Sequence, residues 1–415
     1  MTYQLIRGNA TAIPMADDSV DLIVTSPPYF ALRSYTDGGE HYDGQIGSEA
    51  TPQEFLEALW VWTAECRRVL KPSGSLWVNL GDKYSGSGQR DYSNMPHSGA
   101  KDKKLRRVAG VPDAGGIPAK SLMLLPQRYA IGCIDQLGLI CRAEVIWSKP
   151  NGLPESVTDR VRRSHEQWFH FTKEPRYFSA VDEVREAHVA GPRPNFDGSH
   201  GATPKASRAG ITLAQDADRC GNNPLGKLPG SVWTIPTEPL RVPDHLGVDH
   251  FAAFPSEWPR RIILGWSPSG VCVACGEGRR PVVEKELAVQ DRGAVGSRGS
   301  RFNGTEGEHQ HRRMGKEVEY GSTEATITGY ACACPDTTAP TRPAVVLDPF
   351  CGTGTVPAVA HILGRHGIGV DLSADYLRLA EWRCNDPTLR AKVLRVDKPK
   401  AVLVGQLDMF GNDAA

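Results

Sequence analysis

Apolar positions fall into short runs separated by Gly- and Pro-rich punctuation along most of the chain. Val20-Asp21-Leu22-Ile23-Val24 has the length of a strand and ends abruptly at Thr25-Ser26-Pro27-Pro28-Tyr29. Phe55, Leu56, Leu59, Trp62, Cys66, Val69 and Leu70 then recur with a helical period, which predicts a helix over 52–70. Thr51 suits its N-cap, Pro52 its first turn, and Pro72 with Gly74 its stop. Residues 76–80 read as the next strand, and strand–helix–strand order favours a parallel α/β sheet. Further along, a helix is predicted over 118–138 and strands over 143–148 and 165–171. An apolar strand at 344–348 leads into a Gly-rich turn, a helix over 356–366 and a strand at 367–371.

Three stretches break this rhythm. Residues 85–116 are rich in Gly and Ser, carry Lys101, Lys103, Lys104, Arg106 and Arg107, and read as a mobile loop. Residues 180–230 show little periodicity and also read as loop. Residues 276–330 are polar and charged, a composition that predicts disorder over much of the span.

The 415 residues are 40% hydrophobic and 23% charged, ordinary for a soluble protein of two or three folding units. Lys plus Arg and Asp plus Glu both number 48, so a uniformly basic coat is excluded. Contact with a polyanion then falls to local patches: Lys101 to Arg107, and Arg160, Arg162 and Arg163. Such charge runs read equally well as solvated surface. No run approaches the ~18 apolar residues that span a bilayer, so no membrane contact is expected. The first residues lack the apolar core of a signal peptide, which makes a cytoplasmic location the expectation. In that reducing compartment the ten Cys are expected as thiols or metal ligands.

Asp348-Pro349-Phe350-Cys351-Gly352-Thr353-Gly354-Thr355 follows a strand and precedes a helix. Glycines there let backbone approach a ligand, and open α/β sheets bind ligands beyond the carboxyl ends of their strands. Asp371, ending the next strand, is placed to accept hydrogen bonds from ribose hydroxyls. Pro357 stands where a dinucleotide fingerprint needs its third Gly, and the Gly-Lys-Ser/Thr of a phosphate loop is absent. An acidic Asp348 beside the turn suits a cationic ligand such as S-adenosylmethionine. The bland alternative is a tight β–α turn with no ligand.

Ser26-Pro27-Pro28-Tyr29 should sit at a carboxyl edge too. Consecutive prolines remove two backbone donors and stiffen the chain, leaving carbonyl oxygens, a hydroxyl and an aromatic ring. An exocyclic amine on a base needs such partners. Alone, the segment reads as a turn or a proline-rich ligand site.

Together, Ser26-Pro27-Pro28-Tyr29 and the segment from Asp348 to Thr355 resemble the amino-group DNA methyltransferases, catalytic motif first as in the circularly permuted β group. Gly44 to Gly47, Leu70 to Gly74, Asn79 to Asp82, Trp147 to Asn151, Arg163 to Glu166 and His250 to Pro255 are similar to family segments in the same order. The resemblance implies an α/β, Rossmann-like S-adenosylmethionine-dependent methyltransferase fold with a mixed, mainly parallel seven-stranded sheet. It also implies a loop-rich target-recognition insertion, and the cysteine pairs described below add a zinc-binding one. Residues 1–178 become the catalytic half, with the basic loop at 85–116. Residues 179–230 become the target-recognition region and 231–271 a cofactor-flanking segment. An insertion at 272–335, a cofactor-binding half at 340–390 and a tail at 391–415 complete the chain.

By the same resemblance Ser26, Pro27, Pro28 and Tyr29 are catalytic. Asp348, Pro349, Phe350, Gly352, Gly354, Thr355, Asp371, Phe254 and Asn9 bind S-adenosylmethionine. Asn9 stands where many relatives carry Asp and reads equally as a turn residue. The partner is double-stranded DNA, with a cognate restriction endonuclease as a second. Ser at position 26 resembles the N4-cytosine branch, with N6-adenine as the alternative. Cytosine C5 chemistry needs a Cys nucleophile in a Pro-Cys pair, which is absent, and Cys351 reads as packing. The rival classes are a nucleotide-dependent oxidoreductase, disfavoured by Pro357, and a non-catalytic DNA-binding module, disfavoured by the intact Ser26–Tyr29 segment.

Cys272-Val-Ala-Cys275 before Gly276 has the form of a zinc knuckle, and Cys332-Ala-Cys334 offers two further thiolates. Four Cys predict a structural zinc. His309 and His311 are substitutes for a ligand, and four unligated thiols are the alternative.

Overall fold

A computed structural model describes residues 3–31, 36–37, 40–41, 45–86, 116–152, 154–188, 223–240, 242, 254–288, 322–336 and 338–397 of the 415. In chain order the strands are β1 (Tyr3–Arg7), β2 (Val20–Thr25), β3 (Thr36–Asp37), β4 (Glu40–His41), β5 (Leu70–Leu80), β6 (Ile140–Ser148), β7 (His165–Thr172), β8 (Val232–Thr234), β9 (Val271–Cys272), β10 (Arg280–Ala288), β11 (Ser322–Ala331), β12 (Thr341–Arg342), β13 (Val345–Asp348) and β14 (His366–Asp371). The helices are α1 (Pro52–Val69), α2 (Leu125–Asp135), α3 (Glu257–Trp266), α4 (Thr355–Ile362), α5 (Ala374–Cys384) and α6 (Pro387–Leu394).

The chain divides into two compact units. The larger comprises Met1–Val184, Gly230–Arg280 and Cys332–Ala415. It is built on a sheet of order β1-β14-β13-β2-β5-β7-β6-β8. β1, β14, β13, β2 and β5 pair in parallel, whereas β7 runs antiparallel to both β5 and β6. β8 adds an eighth strand, parallel to β6, where seven were predicted. Its Val232-Trp233-Thr234 is too short to announce itself by period, and only Trp233 is buried.

β2 contributes side chains to two cores. Val20 and Ile23 join a cluster with Phe55, Leu59 and Trp62 of α1 and Tyr129 of α2. Leu22 and Val24 join a cluster with Trp258 and Ile262 of α3 and Val356 and Val359 of α4. Burial on both faces explains why Leu22-Ile23-Val24 is apolar throughout, while Asp21 in the same strand is paired with Lys71. Each such side chain contributes about 1.5–3 kcal/mol on leaving water.

α1 starts as expected. Glu54 N–H donates to Thr51 Oγ1 at 3.2 Å, and Thr51 N–H donates back to Glu54 Oε2 at 3.0 Å. Its end differs. β5 begins at Leu70, so Pro72 and Gly74 lie within the strand rather than beyond a helix stop. Val20 pairs with Leu70 and Leu22 with Ser75, so the intervening residues bulge outward, where Pro needs no ladder partner. The helix predicted over 118–138 is shorter, because Leu124 adopts φ +56° and Pro126 belongs to the first turn. α3, α5 and α6 had no sequence expectation, and α6 extends into the segment read as a tail.

The second unit comprises Arg185–Pro229 and Pro281–Ala331. β10 and β11 pair as a two-stranded sheet, which corrects the expectation of disorder at both ends of 276–330. Glu186 and Lys227 form an isolated bridge. Most of the predicted recognition region, the patch from Lys101 to Arg107, and His309 with His311 lie outside the described residues. Among the described residues no helix is long and apolar enough to cross a membrane.

Candidate active site

β13 and β2 are neighbours at the middle of the sheet, and the chain leaves them in opposite directions: to β14 on one side and to β5 on the other. This is the topological switch point where α/β sheets open a crevice. A cleft of about 1070 Å³ lies there. Ser26, Pro27, Pro28 and Tyr29 line it, and so do Pro349, Phe350, Gly352, Thr355, Asp371, Phe254 and Asn9. The two segments predicted to meet therefore open onto one cavity.

Asp348 and Gly354 are not among the lining residues. Asp348 is 1% exposed and holds the two halves together from beneath. Its Oδ1 accepts from Thr25 Oγ1 at 2.6 Å and from Phe350 N–H at 3.1 Å. Burial pushes its carboxyl up to about 7, opposed by those two bonds and reinforced by the charge of Asp371. Gly354 has φ +75°, and a Cβ there would lie 2.5 Å from Ala380 Cβ. Glycine at this position lets α4 start against α5.

The turn between β13 and α4 is braced from the next strand. Asp371 Oδ2 accepts from Gly352 N–H at 2.8 Å, and Oδ1 from Ser373 N–H at 2.9 Å. Buried Arg383 donates to Thr353 Oγ1 at 2.9 Å and Thr355 Oγ1 at 2.6 Å. Phe254 meets Trp168 edge-on with centroids 5.7 Å apart. Asn9 Oδ1 accepts from Thr11 N–H at 3.0 Å, the signature of a local turn. Cys351 is buried and its thiol is pushed well up by burial, which fits packing.

The Ser26–Tyr29 segment is fixed by residues to which the sequence reading gave no role. The Tyr29 hydroxyl lies 2.8 Å from Asn79 Oδ1 and 3.0 Å from Glu166 Oε2 and shares its one proton between these two acceptors. Ser26 Oγ donates to the same Asn79 oxygen at 3.3 Å. Asn79 Nδ2 donates to the carbonyl of Gln167 at 3.0 Å, which sets the amide's orientation. Lys149 pairs with Glu166 and lies 4.1 Å from the Trp147 ring centroid. A Cβ on Gly81 would fall 2.5 Å from Tyr29 Cε2, so glycine makes room for the ring. The available signal was a polar Asn79 inside the otherwise apolar run Leu76–Leu80.

Of the smaller basic patch, Arg160 pairs with Glu155 at 2.8 Å and lies 3.7 Å over Tyr84, and Arg163 pairs with Asp82 at 3.2 Å. These two are internally engaged rather than free surface charges. Cys272, Cys275 and Cys332 converge, with their sulfurs within 4.8 Å of one another. Cys334 is not part of that cluster, against the expectation of four.

The chain matches the family model described as DNA methylase, of the N6- and N4-acting type, over residues 20–279 and 339–381. It is 34% identical over 271 residues to type II methyltransferase M.Cfr9I of Citrobacter freundii, covering 64% of this chain and 73% of that one. It is 33% identical over 298 residues to type II methyltransferase M.SmaI of Serratia marcescens, covering 71% and 85%. Among solved structures it is similar to PvuII DNA methyltransferase (cytosine-N4-specific), with a TM-score of 0.49, 15% identity and coverage of 95% and 91%. On the family match and these relatives, the chain belongs to the amino-group DNA methyltransferases.

Proposed function

We propose that the protein transfers a methyl group from S-adenosylmethionine to the exocyclic N4 of cytosine in double-stranded DNA, at a specific site and beside a cognate restriction endonuclease. The observation that carries this reading is the shared cleft lined by both Ser26–Tyr29 and Pro349–Thr355.

The residues present fit that cofactor. Phe254, Phe350 and the Gly352 turn offer apolar and backbone surface, and the carboxylates of Asp371 and Glu238 line the same cleft. Its lining Lys149 and Arg163 are each paired with a carboxylate, so neither is a ready pyrophosphate partner. Asp371 lines the cleft as a carboxylate, an acceptor suited to ribose hydroxyls. When bound, S-adenosylmethionine supplies an electrophilic methyl carbon on a sulfonium.

The chain's own part is positioning and charge stabilisation. An exocyclic amine is a poor nucleophile because its lone pair is delocalised into the ring. Ser26 Oγ and the Pro27 carbonyl accept hydrogen bonds from its two N–H groups. These fixed dipoles stabilise the positive charge that develops on nitrogen, and the methylated nitrogen then loses one proton to water. Asn79 and Glu166 hold the Tyr29 ring as a stacking surface for the base. Holding the amine in line with the methyl carbon supplies the remainder through orientation. The target base leaves the duplex first, at a cost of a few kcal/mol. Ser at position 26 favours cytosine over adenine by resemblance within the family.

The test is transfer of labelled methyl from S-adenosylmethionine to duplex DNA by the full chain. Incorporation that is lost in Ser26→Ala and Tyr29→Ala supports the reading. No incorporation into any DNA, with labelled cofactor bound, rejects it.

A further inference from the structure

The chain leaves the larger unit at Arg280 and re-enters it at Cys332. Cys272 and Cys275 stand just before the exit, and Cys332 is the first residue on return. Their three sulfurs gather within 4.8 Å, and Cys275 Sγ lies 3.7 Å from Cys332 Sγ. Zinc–sulfur bonds of ~2.3 Å in a tetrahedron place sulfurs about 3.8 Å apart. A disulfide would bring them to about 2.05 Å, and all three are free thiols.

The loop after Cys272 is a tight turn that brings Cys275 back beside it. Gly276 takes φ +75° to close the turn, and its N–H donates to the Cys272 carbonyl at 2.9 Å. Cys272 N–H donates to the Glu277 carbonyl at 2.9 Å. The turn so closed holds the Cys272 and Cys275 sulfurs gathered with that of Cys332.

We propose that Cys272, Cys275 and Cys332 hold a zinc-class divalent cation, and that Cys334 swings in as its fourth thiolate on binding. One residue separates Cys332 from Cys334, so their Cα atoms are at most about 7 Å apart and a local turn brings the fourth sulfur within reach. The ion closes the excursion Pro281–Ala331 at its base. Cys272 also pairs with Thr341 in the β9–β12 ladder, just ahead of β13. The metal thereby keeps a long insertion from pulling on the strand that ends in Asp348, by removing the closure entropy of that loop. The role is structural and independent of the methyl-transfer reading.

The experiment uses the full chain purified under reducing conditions without chelator. Elemental analysis should find stoichiometric zinc that survives desalting and is released by thiol alkylation. Cys272→Ser and Cys332→Ser should each lose it, and Cys141→Ser should keep it. Cobalt replacing zinc should absorb as a tetrahedral thiolate site, and Cys334→Ser should weaken and shift that absorption. Stripping the metal from the wild-type chain should speed proteolysis within 281–331. A wild-type chain without metal, a Cys275–Cys332 disulfide in its place, or metal retained in both Cys272→Ser and Cys332→Ser overturns the site. An unchanged cobalt spectrum in Cys334→Ser overturns the fourth ligand. The wild-type measurements decide the matter even if a variant fails to fold.

Discussion

Thr25 Oγ1 donates to Asp348 Oδ1 at 2.6 Å inside the sheet, although 323 positions of sequence separate them. Thr25 ends β2 and Asp348 ends β13, so the bond ties the base-side segment to the cofactor-side turn at the switch point. Thr25→Val keeps the shape and removes the donor. The expected cost is about 1–3 kcal/mol, since a buried carboxyl loses a partner. Urea unfolding measures it, and an unchanged midpoint would deny the bond its role.

Asp348 also makes stability depend on pH. Burial raises its folded-state carboxyl from the ordinary 3.8 to about 7. Between those values the folded chain holds a proton that the unfolded chain has released. Its contribution is therefore complete below the unfolded value and is lost as pH rises through about 7. Urea stability should carry a component that falls between about pH 4 and about pH 7 and is missing in Asp348→Asn. Equal slopes for both chains would count against the shift.

Tyr29 is anchored twice, by Asn79 and Glu166. Tyr29→Ala should abolish transfer while leaving S-adenosylmethionine affinity within a few-fold. Tyr29→Phe keeps the ring but loses both anchors, and should lower kcat about ten-fold, or about 1.4 kcal/mol. Steady-state kinetics beside cofactor titration separates the two. Full activity in Tyr29→Ala would remove Tyr29 from the mechanism.

Asp371 braces the Gly352 turn and faces the cleft. Asp371→Ala should weaken S-adenosylmethionine binding about 10²-fold, as expected for charge-assisted bonds of about 1.5–3 kcal/mol. Calorimetric titration reads this directly. Affinity within two-fold of wild type would assign the carboxylate to turn architecture alone.

Much of this was legible in the sequence because the central strands are buried on both faces, so Leu22–Val24 and Val345–Leu347 read as short apolar runs. The two site motifs follow those runs, which put both at carboxyl edges. Less legible were the antiparallel β7 beside β5 and the partners it carries. Glu166 reaches Tyr29 only because β7 runs back alongside β5, and no local period encodes that pairing. The β10–β11 pair was hidden for a related reason: both strands are largely polar and charged, so composition masked them. Asp348 was read as facing a cation, yet it lies buried under the turn, because Thr25 supplies a partner that only the folded sheet reveals.

The central claim is methyl transfer to an amino group of a DNA base, and nucleoside mass spectrometry of DNA from cells expressing the protein tests it most directly. The account predicts N4-methylcytosine, absent when Ser26→Ala is expressed instead. N6-methyladenine would contradict the choice of base, and 5-methylcytosine or no new methylated nucleoside would contradict the chemistry itself.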